Sequence, residues 1–296
     1  SGSSSQPDPA PDASDWETVS ALLDNASSAI TEPWDDANCR TLMSGGYLGN
    51  GDLGAHLGGT RHSLKYYLGK NGFHAGNDVA GFRGGDDPAP GPYKQHILNL
   101  AILTIEAASG AELGNAYHVT QDLKNAEVRT GCSMAGSPVQ TRACLSPSGN
   151  ALVLELSTNG GTDVRLQATL SVIGNASVAR SAGTDGTMAW VTKEPNAEAA
   201  PLYLTGAVAA KVMGATAAAT TDHLTFSSLA FTLPASGGLV RIFLQAEHTK
   251  NAASPLAAVQ AAARDMTDAG VAGLDAQNKS WWKQFWLRSY IKLGDD

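Results

Sequence analysis

Charge is scarce in this chain. Asp, Glu, Lys and Arg make up 16% of its 296 residues, with 28 acidic side chains against 20 basic ones. No block of Lys and Arg is available to neutralise phosphates, and the net charge of −8 excludes nucleic acid as a partner. Runs of eighteen or more apolar residues are also lacking, so the sequence offers no helix able to cross a membrane. With few charges and 32 glycines, the surface must be built from Ser, Thr, Asn, Gly and Ala. That profile suits an extracellular all-β protein, secreted or periplasmic.

Motifs of chemistry are equally sparse. The histidines at 56, 62, 74, 96, 118, 223 and 248 show no H-x-H, no H-E-x-x-H and no Cys/His spacing, so neither a metal nor another cofactor is expected. No G-x-S-x-G elbow occurs, and Gly131-Cys132-Ser133-Met134-Ala135-Gly136 has the wrong spacing. Gly49-Asn50-Gly51-Asp52-Leu53-Gly54 matches the dinucleotide fingerprint in letters alone. No βαβ unit surrounds it, and no acidic residue lies about twenty positions on. Its glycines are assigned to a tight turn needing positive φ, or to close backbone approach.

Glycoside hydrolysis needs two carboxylates a defined distance apart. Asp35/Asp36, Asp86/Asp87 and Asp295/Asp296 are sequence neighbours that point apart and stay solvated. Glu106 and Glu247 end apolar runs and are the candidates for a buried acid. No catalytic constellation emerges, and no catalytic residue is assigned.

Only three cysteines are present, so at least one is unpaired. Cys132 and Cys144 flank a turn at Gly136-Ser137-Pro138, which allows either a cross-strand disulfide or two buried thiols, the second slightly favoured. Sequons begin at Asn25, Asn175 and Asn278, as this composition gives by chance.

What the chain does hold is β patterning. Residues 1–14 cannot bury apolar surface and read as a disordered leader. From Leu53 to about Glu247, short runs alternate with turn residues, within a β-supersandwich domain placed at 15–248. Leu64, Tyr66 and Leu68 share one face, and His96–Ala107 is apolar enough for a strand buried on both sides. The segments 151–156, 164–172, 202–213 and 239–245 repeat the theme, which predicts an antiparallel sandwich. Lys70–Tyr93 reads as a long loop, functional or disordered. Within it Lys70, Asn71, Phe73 and His74 combine hydrogen-bonding groups with a flat apolar face, as a sugar pocket does; a solvated loop tip fits as well.

After His248 the period turns helical, over 255–269 and 274–291, forming a linker of residues 249–296. Trp281, Trp282, Phe285 and Trp286 crowd into its end, with Leu274, Trp281, Trp282 and Phe285 on or near one face. Each such ring asks to bury on the order of 150–250 Å². The stripe either folds back on the sandwich or waits for a further domain.

Several segments, in order, resemble the N-terminal β-domain of glycoside hydrolases related to families 95 and 65. Leu48-Gly49-Asn50-Gly51-Asp52-Leu53-Gly54-Ala55 resembles their I-G-N-G-x-L-G-A opening. Residues 66–74 (YYLGKNGFH), 117–128 (YHVTQDLKNAEV) and 140–156 (QTRACLSPSGNALVLEL) resemble successive strand and hairpin segments, and 281–291 the join to the next domain. The chain departs from the pattern at Gln121, and at Gly72 and His74, where relatives carry an acidic residue and a Trp.

The resemblance implies a large antiparallel β-supersandwich, then a helical linker and a catalytic (α/α)6 barrel beyond residue 296. This chain would then be a non-catalytic accessory part of an exo-acting, α-L-fucosidase-like enzyme. Its partners would be that barrel and an oligosaccharide or glycoside. Trp281, Trp282, Phe285 and Trp286 would form the domain interface. The alternatives are a stand-alone sugar-binding module and an assembly domain that dimerises through the aromatic helix.

Overall fold

Alternating runs punctuated by Gly, Asn and Ser turns dictate extended chain, and strands dominate. The computed structural model describes residues 13–26, 28–31, 45–75, 96–114, 117–173, 178–195, 204–235, 237–249 and 252–288. The first half contains β1 (Ser28–Ile30), β2 (Tyr47–Gly49), β3 (Leu53–Thr60), β4 (Ser63–Ala75), β5 (His96–Ala107), β6 (His118–Asp122), β7 (Glu127–Met134) and β8 (Ser137–Leu145). The second contains β9 (Ala151–Thr158), β10 (Val164–Ser171), β11 (Val178–Asp185), β12 (Met188–Pro195), β13 (Gly206–Met213), β14 (Ala217–His223), β15 (Phe226–Leu233) and β16 (Val240–His248). Three helices complete the described residues: α1 (Ala13–Ala26), α2 (Pro255–Asp265) and α3 (Asp268–Arg288).

The strands form two antiparallel sheets. One has nine strands in the order β1-β6-β7-β8-β9-β16-β13-β12-β11, the other seven in the order β14-β15-β10-β5-β4-β3-β2. This is the mainly β supersandwich with helices at its C-terminal end that the sequence predicts. Period-2 alternation explains how one strand serves two cores. On β13, Val208, Ala210 and Val212 enter the core between the sheets, while Ala207, Ala209 and Met213 enter a second core outside the nine-stranded sheet. There Val259 and Ala263 of α2 and Val271 of α3 cover Val153 and Phe243. The order of layers is therefore helix, nine-stranded sheet, seven-stranded sheet.

Lys211 Nζ donates to the carbonyls of Arg264 and Met266, at 2.8 and 2.9 Å. It thus satisfies carbonyls left without intrahelical partners at the end of α2 and complements the negative pole there.

Several expectations need correction. A helix that the sequence reading did not foresee, α1, covers Ala13–Ala26, and its Val19 and Leu23 are buried one helical turn apart. The loop expected from Lys70 is strand as far as Ala75. Its turn-like Lys-Asn-Gly composition is a break in pairing: the register with β5 slips between Gly69 and His74, with Gly72 at φ +78°. Of the two readings of Cys132 and Cys144, the favoured one holds: both are free and buried. In register Cys132 faces Val139 and Cys144 faces Glu127, and the two thiols lie in different cores, which excludes a cross-strand bond. Cys39, the paired aspartates at 35/36, 86/87 and 295/296, Phe82 and residues 76–93 of the expected loop lie outside the described residues.

Candidate functional site

The Gly49–Gly54 segment closes the β2–β3 hairpin, and its chemistry is carried by Asn50. The Oδ1 of Asn50 accepts from the backbone N–H of Asp52 (2.9 Å) and Leu53 (2.7 Å), holding the turn, with Gly51 at φ +88°. Its Nδ2 donates to the carbonyls of Ser146 and Gly149, both at 2.8 Å, in the β8–β9 connection. One primary amide thereby ties the hairpin to the opposite sheet.

Next to this turn, Asp52 Oδ2 accepts from Lys70 Nζ at 2.6 Å. The Lys70 side chain is fully buried, while that of Asp52 is 39% exposed. Burial alone would raise the Asp52 pKa, but the hydrogen bond and charge of Lys70 outweigh it and hold the carboxyl below the usual range. The Asn71 backbone N–H donates to Asp52 O (2.6 Å), and Asn71 O accepts from His248 Nε2 (2.9 Å) at the end of β16. The pair lines an open recess of about 340 Å³.

Of the four residues expected to meet a sugar, Lys70 and Asn71 share this recess. Asn71 is exposed there. Phe73 is wholly buried in the core between the sheets, so its ring presents no face to a ligand. His74 pairs with Ile97 in the β4–β5 ladder, and its side chain lies outside the described residues.

A second concavity, of about 390 Å³, lies under α3. Trp282, Phe285 and Trp286 form one wall, and Tyr47, Leu48 and Leu145 of the sandwich form the other. Trp286 Nε1 donates to Leu123 O at 3.0 Å. The aromatic stripe divides, correcting the single face expected from the sequence. Val271 and Asn278 are buried, and Trp282 and Trp286 continue their face towards the sandwich, each half-buried. Trp281 and Phe285, 41% and 39% exposed, stack on one another at 5.5 Å along the neighbouring face.

Sequence reasoning missed an ionic cluster on the helix-covered side of the nine-stranded sheet. Arg142 donates to Glu127 (2.5 Å), Glu155 (2.9 Å) and Asp275 of α3 (2.6 Å). Arg241 bridges Glu155 (2.9 Å) and Asp268 of α3 (2.8 Å). Arg129 and Lys279 approach the same Glu127, whose side chain is completely buried. The available signal was the outward phase of Arg142, Glu155 and Arg241 within apolar strands.

Glu106 and Glu247 are both half-buried but belong to different sheets, and Glu247 Oε1 accepts from Asn150 at 3.0 Å. Among the described residues, no group of three or more His, Cys, Asp and Glu is arranged to hold a metal.

No protein-family model and no curated protein matches the sequence. Among solved structures, a human-microbiome protein assigned as a kojibiose phosphorylase is similar at TM-score 0.60 and 12% identity, over 88% of this chain and 38% of that one. Two weaker similarities fall below the level at which a shared fold follows. One is to a family 92 α-mannosidase of Bacteroides thetaiotaomicron (TM-score 0.42, 7% identity, 82% and 34% covered). The other is to a bacterial glucoamylase complexed with acarbose (TM-score 0.40, 9% identity, 87% and 38% covered). This chain spans little more than a third of the length of these proteins. It shares its fold with that part of the phosphorylase-assigned protein, the β-sandwich architecture implied by its resemblance to the N-terminal domains of glycoside hydrolases related to families 95 and 65.

Proposed function

We propose that this chain is the β-supersandwich accessory part of a carbohydrate-active enzyme, secreted or periplasmic, whose chemistry resides in an (α/α)6 barrel. The observation that carries it is the fold match: 88% of this chain superimposes on 38% of the phosphorylase-assigned protein at TM-score 0.60. The finer assignment, to α-L-fucosidase-like enzymes, rests on the Leu48–Ala55 opening.

In this reading α3 is the joint. It grips the sandwich through Trp282, Trp286 and the ionic cluster, and it offers outward Trp281 and the part of Phe285 that does not line the groove. We assign those two exposed rings to the contact with the barrel, since burying such a pair is a large apolar gain.

The test is turnover. Residues 1–296 alone are expected to cleave neither aryl α-L-fucosides nor α-glucosides, with or without inorganic phosphate. Turnover by the purified chain, abolished by heat and retained through rechromatography, would sink the proposal.

A further inference from the structure

Three aromatic side chains stand in one row at the edge of the seven-stranded sheet. Tyr47 on β2 pairs with His56 on β3, and His56 pairs with Tyr67 on β4. Opposed residues share a face of a sheet, and Leu48, Leu57, Tyr66 and Leu68 beside them enter the core between the sheets. Alternation therefore turns the three rings onto the outer face, away from α2 and α3, which cover the nine-stranded sheet. Ring centroids lie 4.9 Å apart for Tyr47 and His56 and 6.1 Å apart for His56 and Tyr67, at interplanar angles of 35° and 31°. Tyr47 is 46% exposed, and the other two are half-buried.

The row does not stop at the sheet edge. β2 is the edge strand, and Tyr47 also lines the groove under α3, together with Phe285. Phe285 stacks on Trp281 at 5.5 Å and 10°. Five rings thus form one band from α3 round the edge to β4. Six large apolar side chains are exposed among the described residues, and Tyr47, Trp281 and Phe285 are three of them. Singly exposed apolar residues are ordinary, but half of them gathered in one band mark an interaction surface. The band carries no formal charge at neutral pH, because burial pulls the His56 pKa below its ordinary value. Aromatic enrichment with charge depletion is the composition of the centre of a protein–protein contact.

We propose that the barrel covers this whole band, extending the contact assigned to Trp281 and Phe285 round the sheet edge onto Tyr47, His56 and Tyr67. The proposal rests on the accessory-domain reading and specifies the footprint of its partner: an uncharged, apolar protein face in the same polypeptide. The band is continuous with the two rings already assigned to that contact. Phe285 stands in the last turn of α3, so chain leading on from the helix departs beside the band. A covalently linked partner there meets the band at high effective concentration. In the phosphorylase-assigned protein the shared fold is 38% of the chain, and the remainder is available as such a partner. A sugar fits less well. Two residues along β3 and β4 from His56 and Tyr67 stand Gly54, Gly58, Lys65 and Gly69, and of these only Lys65 has a polar side chain to orient hydroxyls.

The experiment is hydroxyl-radical footprinting read by mass spectrometry, on residues 1–296 and on the polypeptide purified from its natural source. In residues 1–296, Tyr47, Tyr67, Trp281 and Phe285 are expected to oxidise, with the wholly buried Tyr66 as the internal control. In the natural polypeptide the four are expected to lose most of that reactivity together.

Reactivity that Tyr47 and Tyr67 keep while Trp281 and Phe285 lose theirs overturns the proposal. It would confine the barrel to α3 and leave the accessory-domain reading intact. Low reactivity of Tyr47 and Tyr67 already in monomeric residues 1–296 overturns it too, because the band is then covered from within. So does reactivity that falls as the concentration of residues 1–296 rises, with dimers in sedimentation, which would give the band to a second copy. A natural polypeptide no longer than residues 1–296 removes the barrel and overturns both proposals at once.

Discussion

Arg142 Nη1 on β8 donates to Asp275 Oδ1 on α3 at 2.6 Å, and this bond ties the linker helix to the nine-stranded sheet. Val271 and Asn278 are the fully buried residues of α3, and Trp282 and Trp286 are half-buried, so apolar burial docks it only in part. The ionic cluster supplies the rest. Both partners retain some water, with side chains 23% and 21% exposed. Asp275→Ala is therefore expected to cost about 2 kcal/mol, less than the roughly 3–5 kcal/mol of breaking a fully buried pair. Arg142→Ala is expected to reach that higher figure, because it removes at once a partner of the wholly buried Glu127, of Glu155 and of Asp275. Urea melts of the two single variants and the double variant measure both the order and the coupling.

Acid acts on the same contact. Burial pushes the Asp275 pKa up, but hydrogen bonds from Arg142 and Lys279 outweigh it and leave the carboxyl below its ordinary value, as Lys70 does for Asp52. A depressed carboxylate stabilises the folded state above its unfolded pKa of about 3.9, and that contribution disappears as pH falls through the folded value. Melting temperature should hold from neutrality to about pH 5 and then fall, most steeply below about pH 4. Asp275→Asn should flatten part of that fall. An unchanged acid slope would show that Asp275 takes up no extra proton on unfolding.

The Asp52–Lys70 pair is asymmetric in burial, and its variants should be asymmetric too. Asp52→Ala leaves a fully buried ammonium without its partner and is expected to cost about 3–5 kcal/mol. Lys70→Met keeps most of the volume and returns Asp52 to water, so it is expected to stay within about 1 kcal/mol of wild type or to stabilise. Thermal melts of the two variants side by side decide it.

The split aromatic stripe makes a similar contrast. Trp282→Ala removes a half-buried ring from the groove wall and should cost about 2 kcal/mol, roughly half of a full core truncation. Trp281→Ala, on the 41% exposed face, should cost under about 1 kcal/mol. Equal losses from the two would refute the division of the helix into a docked and an outward face.

Cys132 and Cys144 sit in apolar surroundings that push both thiols up to about 12. Neither should react with an aromatic disulfide reagent in the native protein, and both should react in denaturant. Added reductant should leave the melting temperature unchanged.

Much of the fold was legible in the residues. His96–Ala107 reads as an apolar strand and is one from end to end, and Leu64, Tyr66 and Leu68 alternate inward as their spacing requires. The short helix α1 was missed behind the polar leader, although Trp16, Val19 and Leu23 stand at helical spacing. The docked face of α3 was not legible. It runs Val271, Asp275, Asn278, Trp282, Trp286, and two polar members hide it from a search for apolar periodicity. Asn278 belongs there because its Nδ2 donates to Asn125 O at 3.0 Å, a partner 153 residues away. The candidate site was half legible. Lys70 and Asn71 do share a recess, but its floor of Gly49, Gly54 and Gly69 comes from three strands and exists only through their register.

The amino-acid sequence by itself determined the β class, the turns and the final helices, because these follow from period, turn chemistry and composition acting over a few residues. Tertiary structure alone decided which side chains meet across the sandwich. Phe73 went to the core, Lys70 found Asp52, Arg142 found Asp275, and Trp281 stayed exposed while Trp282 docked. Those outcomes depend on strand register and on the stacking of layers, and each joins residues whose attraction no local window contains.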